Sequence, residues 1–280
     1  MQLILISGLS GSGKSVALKA LEDSGYFCID NLPLGLVRAL VDDLAARGEP
    51  RVAISADARN ATSIGLLPRV VAEERANGID VRLLFLDAGD ASLVRRFSET
   101  RRPHPLARAG RTIEEAIAEE RALLAPIAEM AHRIDTSSHT PVQLRQWVHD
   151  LLVLDDSHLV VCVESFGFKG GIPLDADFVF DARFLPNPHY DPHLRHQTGQ
   201  DADVAAFLEQ QTEAQAFLDD IHGFIGRWLP RFARDRRAAL TVAVGCTGGR
   251  HRSVYLVEQL AGRLRPHHDL IVRHRDIGRD

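Results

Sequence analysis

The chain has 280 residues, of which 45% are hydrophobic, so it can bury a large core and its length is more typical of two domains than of one. Its three cysteines lie far apart, without a CxxC pair or a histidine cluster at zinc spacing, which excludes a disulfide scaffold and a structural zinc site and indicates a reducing compartment. The N-terminal apolar run of about six residues is too short for a signal-peptide core, and no later run reaches the roughly 18 residues of a membrane span. We therefore expect a cytoplasmic protein without a membrane partner.

The charge is unevenly distributed along the chain. The formal net charge is −5, but residues 227–280 contain twelve arginines and five acidic residues, a local +7. Among the 33 basic residues only Lys14, Lys19 and Lys169 are lysines, so a high arginine content is general in this chain. The basic end is either a solvated face or a surface for a polyanion, and composition alone favours the solvated face.

The stretch GLSGSGKS at residues 8–15 matches the phosphate-binding pattern GxxxxGK[ST]. A strand-like apolar run precedes it and a segment with helical apolar spacing follows, so its glycines lie on a predicted strand-to-helix turn. Backbone N–H groups of such a turn point at phosphates, while Lys14 would reach the β and γ phosphates and Ser15 would complete the coordination of Mg²⁺. The pattern predicts a nucleoside triphosphate with magnesium, bound by Gly8, Leu9, Ser10, Gly11, Ser12, Gly13, Lys14 and Ser15.

Strand-like runs alternate with helical segments through the rest of the first half. The next strands are predicted at residues 26–29, 51–55 and 81–88. This alternation is typical of βαβ units with a parallel sheet, whose ligands bind beyond the carboxyl ends of the strands. The predicted strand ends carry acidic residues: Asp30, Asp57 and Asp87.

Asp87 closes an apolar strand in the manner of a Walker B carboxylate, which holds Mg²⁺ through water. A strand-ending aspartate is also a common helix cap, and the phosphate loop upstream favours the metal role. Lys14 and Asp87 are therefore predicted to support nucleotide hydrolysis, and Ser15 and Asp87 to hold the metal ion.

Residues 95–111 contain six arginines interrupted by two prolines. Such a segment can close over phosphates as a flap that stabilises developing charge, or it can be a solvated loop, and the sequence leaves both open. A helix over residues 112–130, a short strand and a helix over residues 141–154 complete a first domain, predicted at residues 1–154.

A second α/β domain is predicted at residues 155–280. Residues 158–171 are typical of a new strand that runs into a glycine-rich loop, and a further strand with a proline-rich connection and a helical region follow. Residues 239–264 again have the pattern of an apolar strand, a tight glycine loop and an amphipathic helix.

The loop CTGGRHRS at residues 246–253 is a second candidate anion site. Its amides precede a helix N-terminus, Arg250 and Arg252 offer bidentate donors, and two hydroxyls lie beside them, which suits one phosphate group better than three. The loop also matches Cx5R followed by Ser, the pattern of cysteine-dependent phosphatases, with Cys246 as the nucleophile. A purely structural turn is the remaining alternative. The nearest candidates in sequence for the general acid of a phosphatase are Asp181 and Asp191.

The chain resembles the RapZ family of nucleotide-binding proteins, also called the YvcJ family, through motifs that occur in this order: GLSGSGKS, DNLP, DARN, FLDA, SFGFKGG, FLPNPHY and CTGGRHRSVY. The resemblance spans nearly the whole chain, and its last two motifs are more specific than the phosphate loop. It implies an N-terminal P-loop domain similar to small-molecule kinases, a C-terminal domain similar to part of 6-phosphofructokinase, and assembly into a homo-oligomer.

The resemblance also implies ligands and partners. It places ATP at residues 8–15 and GTP contacts at Asp57, Ala58, Arg59 and Asn60. It implies binding of glucosamine-6-phosphate by His189, Cys246, Thr247, Gly248, Gly249 and Arg252. In enterobacterial members that sugar phosphate competes with small regulatory RNAs, one of which the protein presents to ribonuclease E. DNA is not an expected partner.

RNA binding carried over from the family would use the arginines near the C-terminus, which are Arg263, Arg265, Arg273, Arg275 and Arg279. The chain departs from the family here, because adapter members end in a tail rich in lysine and arginine whereas Asp276 and Asp280 dilute this one. The guanine-reading NKxD pattern is absent, so the residues themselves do not support a preference for GTP.

Three hypotheses follow. The first is a regulatory protein that couples nucleotide and sugar-phosphate sensing to RNA binding, with slow hydrolysis of ATP or GTP. The second is a metabolic kinase, which the phosphate loop, the acidic strand ends and the arginine-rich segment would permit. The third is a phosphatase that uses Cys246.

Overall fold

A computed structural model of the chain describes residues 1–56, 65–100, 102–107, 110–152, 159–234 and 239–278. The chain divides into two compact units, Met1–Asp156 and Ser157–Asp280. Each unit is a parallel β-sheet combined with helices, which confirms the predicted α/β class. The domain boundary predicted after residue 154 falls in residues 153–158, outside the described residues.

The first unit contains a five-stranded sheet. Its strands are β1 (Gln2–Gly8), β2 (Phe27–Ile29), β3 (Arg51–Ser55), β4 (Asp80–Asp87) and β5 (His132–Asp135). Its helices are α1 (Lys14–Asp23), α2 (Val37–Ala46), α3 (Leu67–Ala76), α4 (Asp90–Thr100), α5 (Ile113–Met130) and α6 (Pro141–Leu152).

All pairings in this sheet are parallel, in the order β2-β3-β1-β4-β5. The central strand β1 is buried from Leu3 to Gly8, because both of its faces are covered, and this is why its sequence is a continuous apolar run rather than an alternating one. Gly8 pairs with Leu86 at the carboxyl end of β4. The loop after β1 and the residues that follow β4 therefore lie at the same edge of the sheet.

Helix α5 shows how local sequence and packing combine. Thr112 caps its first turn and Glu115 reaches back to the backbone of Thr112, which forms a capping box. The buried positions of α5 follow helical spacing, and one of them is charged: Ala116, Ile117, Glu120, Leu124 and Ile127. The helix thus brings a carboxylate into the interior of the first unit.

The second unit contains a four-stranded parallel sheet in the order β7-β8-β6-β9. Its strands are β6 (Val160–Gly167), β7 (Phe178–Asp181), β8 (Ala239–Cys246) and β9 (Leu270–His274). Its helices are α7 (Ala202–Glu209), α8 (Thr212–Arg234) and α9 (Arg252–Leu264), with short 3₁₀ turns at Phe168–Gly170 and Pro188–Tyr190.

The strand register of the second unit brings three segments together. Gly167 pairs with Cys246 and Asp181 pairs with Gly245, so β6, β7 and β8 end side by side. The loops that follow these strands consequently meet at one edge of the sheet.

Within the described residues, no helix is long and apolar enough to cross a membrane.

Candidate functional sites

The loop between β1 and α1 has the backbone conformation that its glycines predict. Gly8, Gly11 and Gly13 have φ angles of 143°, 84° and 107°, in the region that favours glycine. A Cβ atom on Gly8 would lie 2.2 Å from the carbonyl oxygen of Leu86, and one on Gly13 would lie 2.8 Å from Cδ2 of Leu144. At Gly8 both the dihedral angle and the neighbouring backbone exclude a side chain, whereas at Gly13 the dihedral angle is the main obstacle because the Leu144 methyl group can move.

The charged groups of this loop suit an anion. Lys14 begins α1, and its Nζ donates to the carbonyl oxygens of Gly8, at 2.6 Å, and Leu9, at 3.1 Å. The first turn of α1 carries no acidic residue, so the partial positive charge of the helix N-terminus is not offset there by a carboxylate of its own. Ser15 is exposed, and the buried Oγ of Ser12 makes no hydrogen bond to any described residue. These residues fit a phosphate chain with an associated Mg²⁺.

Side chains from elsewhere in the first unit hold the backbone of this loop. The N–H and Oγ of Ser10 donate to the carboxylate of Glu120, at 2.9 and 2.7 Å. Thr136 donates to the carbonyl oxygen of Ser12 at 2.7 Å. Sequence reasoning missed Glu120 and Thr136 as site residues. The signal for Glu120 was available, since a glutamate occupied an apolar-facing position of the predicted helix.

Asp87 lies at the end of β4, as predicted, but arginines surround its carboxylate. Arg121 contacts Oδ1 at 2.7 Å and Arg133 contacts Oδ2 at 2.8 Å, and the Asp87 side chain is 2% exposed. The N–H of Ala88 also donates to Oδ1 at 2.8 Å. A role for Asp87 with Mg²⁺ stays a prediction, and it would require the carboxylate to share oxygens that two guanidinium groups already contact.

Of the other two acidic residues predicted at strand ends, Asp30 lies among the described residues and Asp57 does not. Asp30 accepts a hydrogen bond from the hydroxyl of Ser55, which also accepts from the N–H of Asn31 at 2.9 Å. The predicted GTP contacts, Asp57, Ala58, Arg59 and Asn60, lie outside the described residues.

The arginine-rich segment is partly held against the phosphate loop. Arg96 donates to the carbonyl oxygen of Gly11 at 3.0 Å and to the hydroxyl of Thr136 at 3.1 Å. Burial, together with the adjacent charge of Arg95, lowers the pKa of the Arg96 guanidinium. Arg95, Arg102 and Arg111 are exposed, whereas Arg101 and Arg108 lie outside the described residues. Arg96 is thus an internal support of the loop, and a flap role for its neighbours stays a prediction.

The second glycine loop joins β8 to α9 and packs against the loop after β6. Gly249 has a φ of 69°, and a Cβ atom there would lie 2.5 Å from the backbone nitrogen of Gly167. Thr247 and Gly248 are exposed, while Cys246 is 3% exposed with its Sγ 3.2 Å from Oγ of Ser253. The exposed part of the loop therefore offers backbone and a hydroxyl rather than the thiol.

Arg252 is buried and bonded to neighbouring segments of the second unit. Its Nη1 donates to the carbonyl oxygens of Arg183 and Leu185, at 2.8 and 2.9 Å, and its Nη2 donates to Oγ1 of Thr247 at 3.2 Å. The residue is 4% exposed, so the guanidinium ties the FLPNPHY segment to the loop. Its buried Nε has no hydrogen-bond partner among the described residues, and an anion would satisfy that donor. Direct contact with phosphate stays a prediction.

Two histidines, His251 of this loop and His189 of the FLPNPHY segment, lie close to each other. His189 is exposed, and its ring centroid is 6.2 Å from that of His251. Nε2 of His251 lies 3.2 Å from the carbonyl oxygen of Leu194, so this nitrogen carries the proton. Burial lowers the pKa of His251, and the nearby His189 and Arg250 lower it further. His251 is therefore a neutral member of the loop near pH 7.

The geometry does not favour the phosphatase hypothesis. Hydrogen bonds from Arg183 hold the pKa of Asp181 below its ordinary value, which keeps this carboxyl ionised and unsuited to act as a general acid. The guanidinium of Arg183 also lies 4.0 Å from the ring centroid of Phe168. In addition, the thiol of Cys246 is buried, so a substrate phosphate would not reach it without movement of the loop.

Two of the arginines predicted to contact RNA are buried. Arg273 and Arg275 are each 2% exposed. Nη2 of Arg275 donates to the carbonyl oxygens of Gly167, at 2.8 Å, and Gly171, at 2.7 Å, and the carboxylate of Asp276 accepts from the N–H of Gly167 at 2.7 Å. Such buried side chains cannot contact RNA phosphates in this conformation, because solvent does not reach them.

The remaining predicted RNA contacts are less buried. Arg263 pairs with Asp219, Arg265 is exposed, and Arg279 lies outside the described residues.

The described residues contain no group of three or more histidine, cysteine or acidic side chains that could hold a metal ion by themselves.

Comparison with known proteins identifies relatives of both halves. The family model of the RapZ-like N-terminal domain matches residues 1–156, and that of the RapZ C-terminal domain matches residues 159–278. A "Nucleotide-binding protein" of Laribacter hongkongensis is 55% identical over 280 residues and covers 100% of both chains. Another, of Thiobacillus denitrificans, is 54% identical over 277 residues, which are 99% of this chain and 100% of that protein.

Two solved structures of shikimate kinases align with about half of the chain. Shikimate kinase from Bacteroides thetaiotaomicron aligns with a TM-score of 0.38 and 17% identity over 54% of this chain and 98% of its own. Shikimate kinase from Acinetobacter baumannii in complex with shikimate aligns with a TM-score of 0.39 and 16% identity over 54% of this chain and 92% of its own.

Proposed function

The chain belongs to the RapZ family, and from this premise we propose that it binds ATP or GTP with Mg²⁺ at residues 8–15 and acts as a regulator. The observation that carries the proposal is the glycine loop with Lys14 at the N-terminus of α1. The relatives named above are called nucleotide-binding proteins, which supports the same assignment. Lys14 and the amides of the loop hold the phosphates, and Ser15 holds the magnesium ion that shields their charge.

The test is calorimetric titration of Mg·ATP into wild-type protein and into Lys14→Ala. We expect binding to weaken about 100-fold, because the substitution removes a charge-assisted contact to the phosphates. Lys19→Ala is the matched control, since Lys19 is an exposed lysine of the same helix. Equal affinity of Lys14→Ala and the wild type would contradict the proposal.

We propose slow hydrolysis rather than metabolic phosphoryl transfer at this loop. Both oxygens of Asp87 contact arginines, so the carboxylate most suited to promote turnover is already engaged. We expect that no metabolite raises turnover towards the roughly 1–100 per second typical of kinases. A phosphorylated product formed stoichiometrically at such a rate would establish the kinase hypothesis instead.

For the second unit we propose a site for glucosamine-6-phosphate at the loop 246–253, with His189 beside it. Two glycine loops in contact, an exposed Thr247 and the unsatisfied Nε of Arg252 support a site for one phosphate group. Calorimetry with glucosamine-6-phosphate, glucosamine and inorganic phosphate separates recognition of the sugar from recognition of the anion. We expect Cys246→Ser to retain binding, because backbone amides and Thr247 hold the phosphate without a nucleophile, whereas hydrolysis of an aryl phosphate that iodoacetamide abolishes would establish a phosphatase.

We propose that this unit also binds a small regulatory RNA, in a homo-oligomer that acts as an adapter for ribonuclease E. The local charge of +7 at the C-terminal end supports binding of a polyanion, and exposed Arg265 and Lys169 are available for it. Filter binding at several salt concentrations, with and without glucosamine-6-phosphate, tests this role. RNA affinity that does not change with salt or with glucosamine-6-phosphate would rule out a shared anion-binding site.

A further inference from the structure

Three consecutive residues of the first glycine loop are each held by a side chain from a different part of the first unit. Glu120 of α5 accepts from Ser10, Arg96 of α4 donates to Gly11, and Thr136, after β5, donates to Ser12. We call these three side chains the loop brace. Two of its members donate to carbonyl oxygens and Glu120 accepts from an amide, so the brace covers both kinds of backbone group.

Glu120 is the most unusual member of the loop brace. It is 0% exposed, and its carboxylate lies beside a loop built to bind a polyanion. Burying a carboxylate is costly unless hydrogen bonds satisfy it, and a negative charge next to phosphates raises that cost. A glutamate at this position therefore needs a compensating role.

The hydrogen bonds of Glu120 identify that role. Oε2 accepts from the Ser10 N–H at 2.9 Å, and Oε1 accepts from the Ser10 hydroxyl at 2.7 Å. His104 also bonds to Oε2. Its Nδ1 accepts from the N–H of Leu106 at 3.1 Å, so its Nε2 carries the proton and donates to Oε2 at 3.1 Å. Three donors thus converge on one carboxylate, and two of them belong to Ser10.

We infer that Glu120 is a positioning residue for phosphate binding. Glu120 accepts a hydrogen bond from the Ser10 amide and so directs this N–H away from the ligand. The same bond holds the loop open in the absence of nucleotide. The amides that follow then do not have to be ordered when phosphates bind, which lowers the entropic cost of binding. The acceptor oxygens matter for this role, and the negative charge does not. The inference rests on the proposed nucleotide site.

The test compares Glu120→Leu with Glu120→Gln by calorimetric titration of Mg·ATP. Leucine fills the volume but leaves the Ser10 amide without an acceptor, so we expect affinity to fall about tenfold. Glutamine can accept from the Ser10 amide and His104 through Oε1 and donate to the Ser10 hydroxyl, so its affinity should stay within about threefold of wild type. Glu114→Gln, at an exposed position of the same helix, is the control.

A double-mutant cycle with Ser10→Ala separates positioning from general stability. Because both substitutions remove the hydrogen bond between the Ser10 hydroxyl and Oε1 of Glu120, Glu120→Leu and Ser10→Ala together should cost less ATP affinity than the sum of the two single losses. Equal ATP affinity of wild type and Glu120→Leu, measured well below their melting temperatures, would overturn the inference. If Glu120→Leu does not fold, hydrogen exchange of the ligand-free wild type decides instead, and a Ser10 amide that exchanges at the unprotected rate would overturn the inference.

Hydrogen exchange of the ligand-free protein tests the loop without any nucleotide. The Ser10 amide should be protected in wild type and in Glu120→Gln, and should exchange at least about tenfold faster in Glu120→Leu. Absence of ATP binding by the wild type would defeat the proposed function and leave this measurement to decide the positioning role. Equal exchange in all three proteins would refute the role even where ATP binds.

Discussion

The glycine loops at residues 8–13 and 246–251 both connect the carboxyl end of a central parallel strand to a helix, but different contacts hold them in place. The first is braced by side chains from three separate segments, and its cation, Lys14, lies against the carbonyl oxygens of the loop. The second packs against another glycine loop, and Arg252 donates hydrogen bonds to backbone carbonyl oxygens outside its own loop. The basic residue of each motif therefore contacts backbone carbonyl oxygens, but Lys14 bonds within its own loop whereas Arg252 joins its loop to a separate segment.

The largest effects should come from the glycines that bring each loop against its neighbour. Gly8→Ala and Gly249→Ala should each destabilise the protein by about 4 kcal/mol, since a side chain there meets backbone atoms and requires an unfavourable φ. Gly248→Ala is the matched control, because its Cβ would meet no heavy atom of the described residues within 4 Å. Chemical denaturation measures the difference, and equal stability of Gly248→Ala and Gly249→Ala would show that the second loop is not tightly packed.

Arg252→Ala should separate the two loops most clearly. It leaves the carbonyl oxygens of Arg183 and Leu185 without their donor, so we expect a loss of about 3 kcal/mol in the free energy of unfolding. It should also weaken binding of glucosamine-6-phosphate more than His189→Ala does, because His189 is exposed and contributes at most a single hydrogen bond. Lys14→Ala, in contrast, should lose ATP binding while its melting temperature changes little.

The opposite result would change the comparison. An Arg252→Ala protein with wild-type stability and no affinity for the sugar phosphate would make Arg252 a ligand residue like Lys14.

Arg275→Ala should cost about 2 kcal/mol, because two carbonyl oxygens of the loop after β6 lose a buried donor. Since Arg275 is buried, its loss should not lower the salt dependence of RNA binding in the way that loss of an exposed arginine does. Arg265→Ala is the control and should leave stability unchanged while reducing that salt dependence by about one phosphate contact. A stable Arg275→Ala protein with a reduced salt dependence would return this residue to the RNA surface.

The smallest effect concerns pH at the second loop. Burial lowers the pKa of His251 below its ordinary value of 6.5, so the unfolded chain takes up a proton at a higher pH than the folded protein does. Stability should therefore fall as the pH decreases from 6.5 towards the lowered pKa of His251. Unfolding curves at several pH values measure this, and His251→Gln should have a weaker dependence. An identical pH profile of variant and wild type would exclude this contribution.

Much of the architecture could be predicted from local sequence. The apolar runs at residues 2–7, 51–55 and 81–88 form buried parallel strands, as expected, because a strand covered on both faces needs a continuous apolar sequence. The glycine pattern of residues 8–15 predicted a strand-to-helix turn, and the positive φ angles of its glycines explain why that pattern is informative. Membership of the RapZ family was likewise predicted from the motifs and is confirmed.

Apolar spacing and the dihedral preferences of glycine act within a few residues, so they were enough to predict the α/β class and the positions of the two glycine loops. The partners of the buried charged residues depended instead on the tertiary structure. Glu120 meets Ser10 across 110 positions of the chain, Arg252 reaches Leu185 across 67, and Arg275 reaches Gly167 across 108. The path of the backbone chooses such partners, because a buried charge must find its hydrogen bonds wherever the fold brings donors and acceptors together.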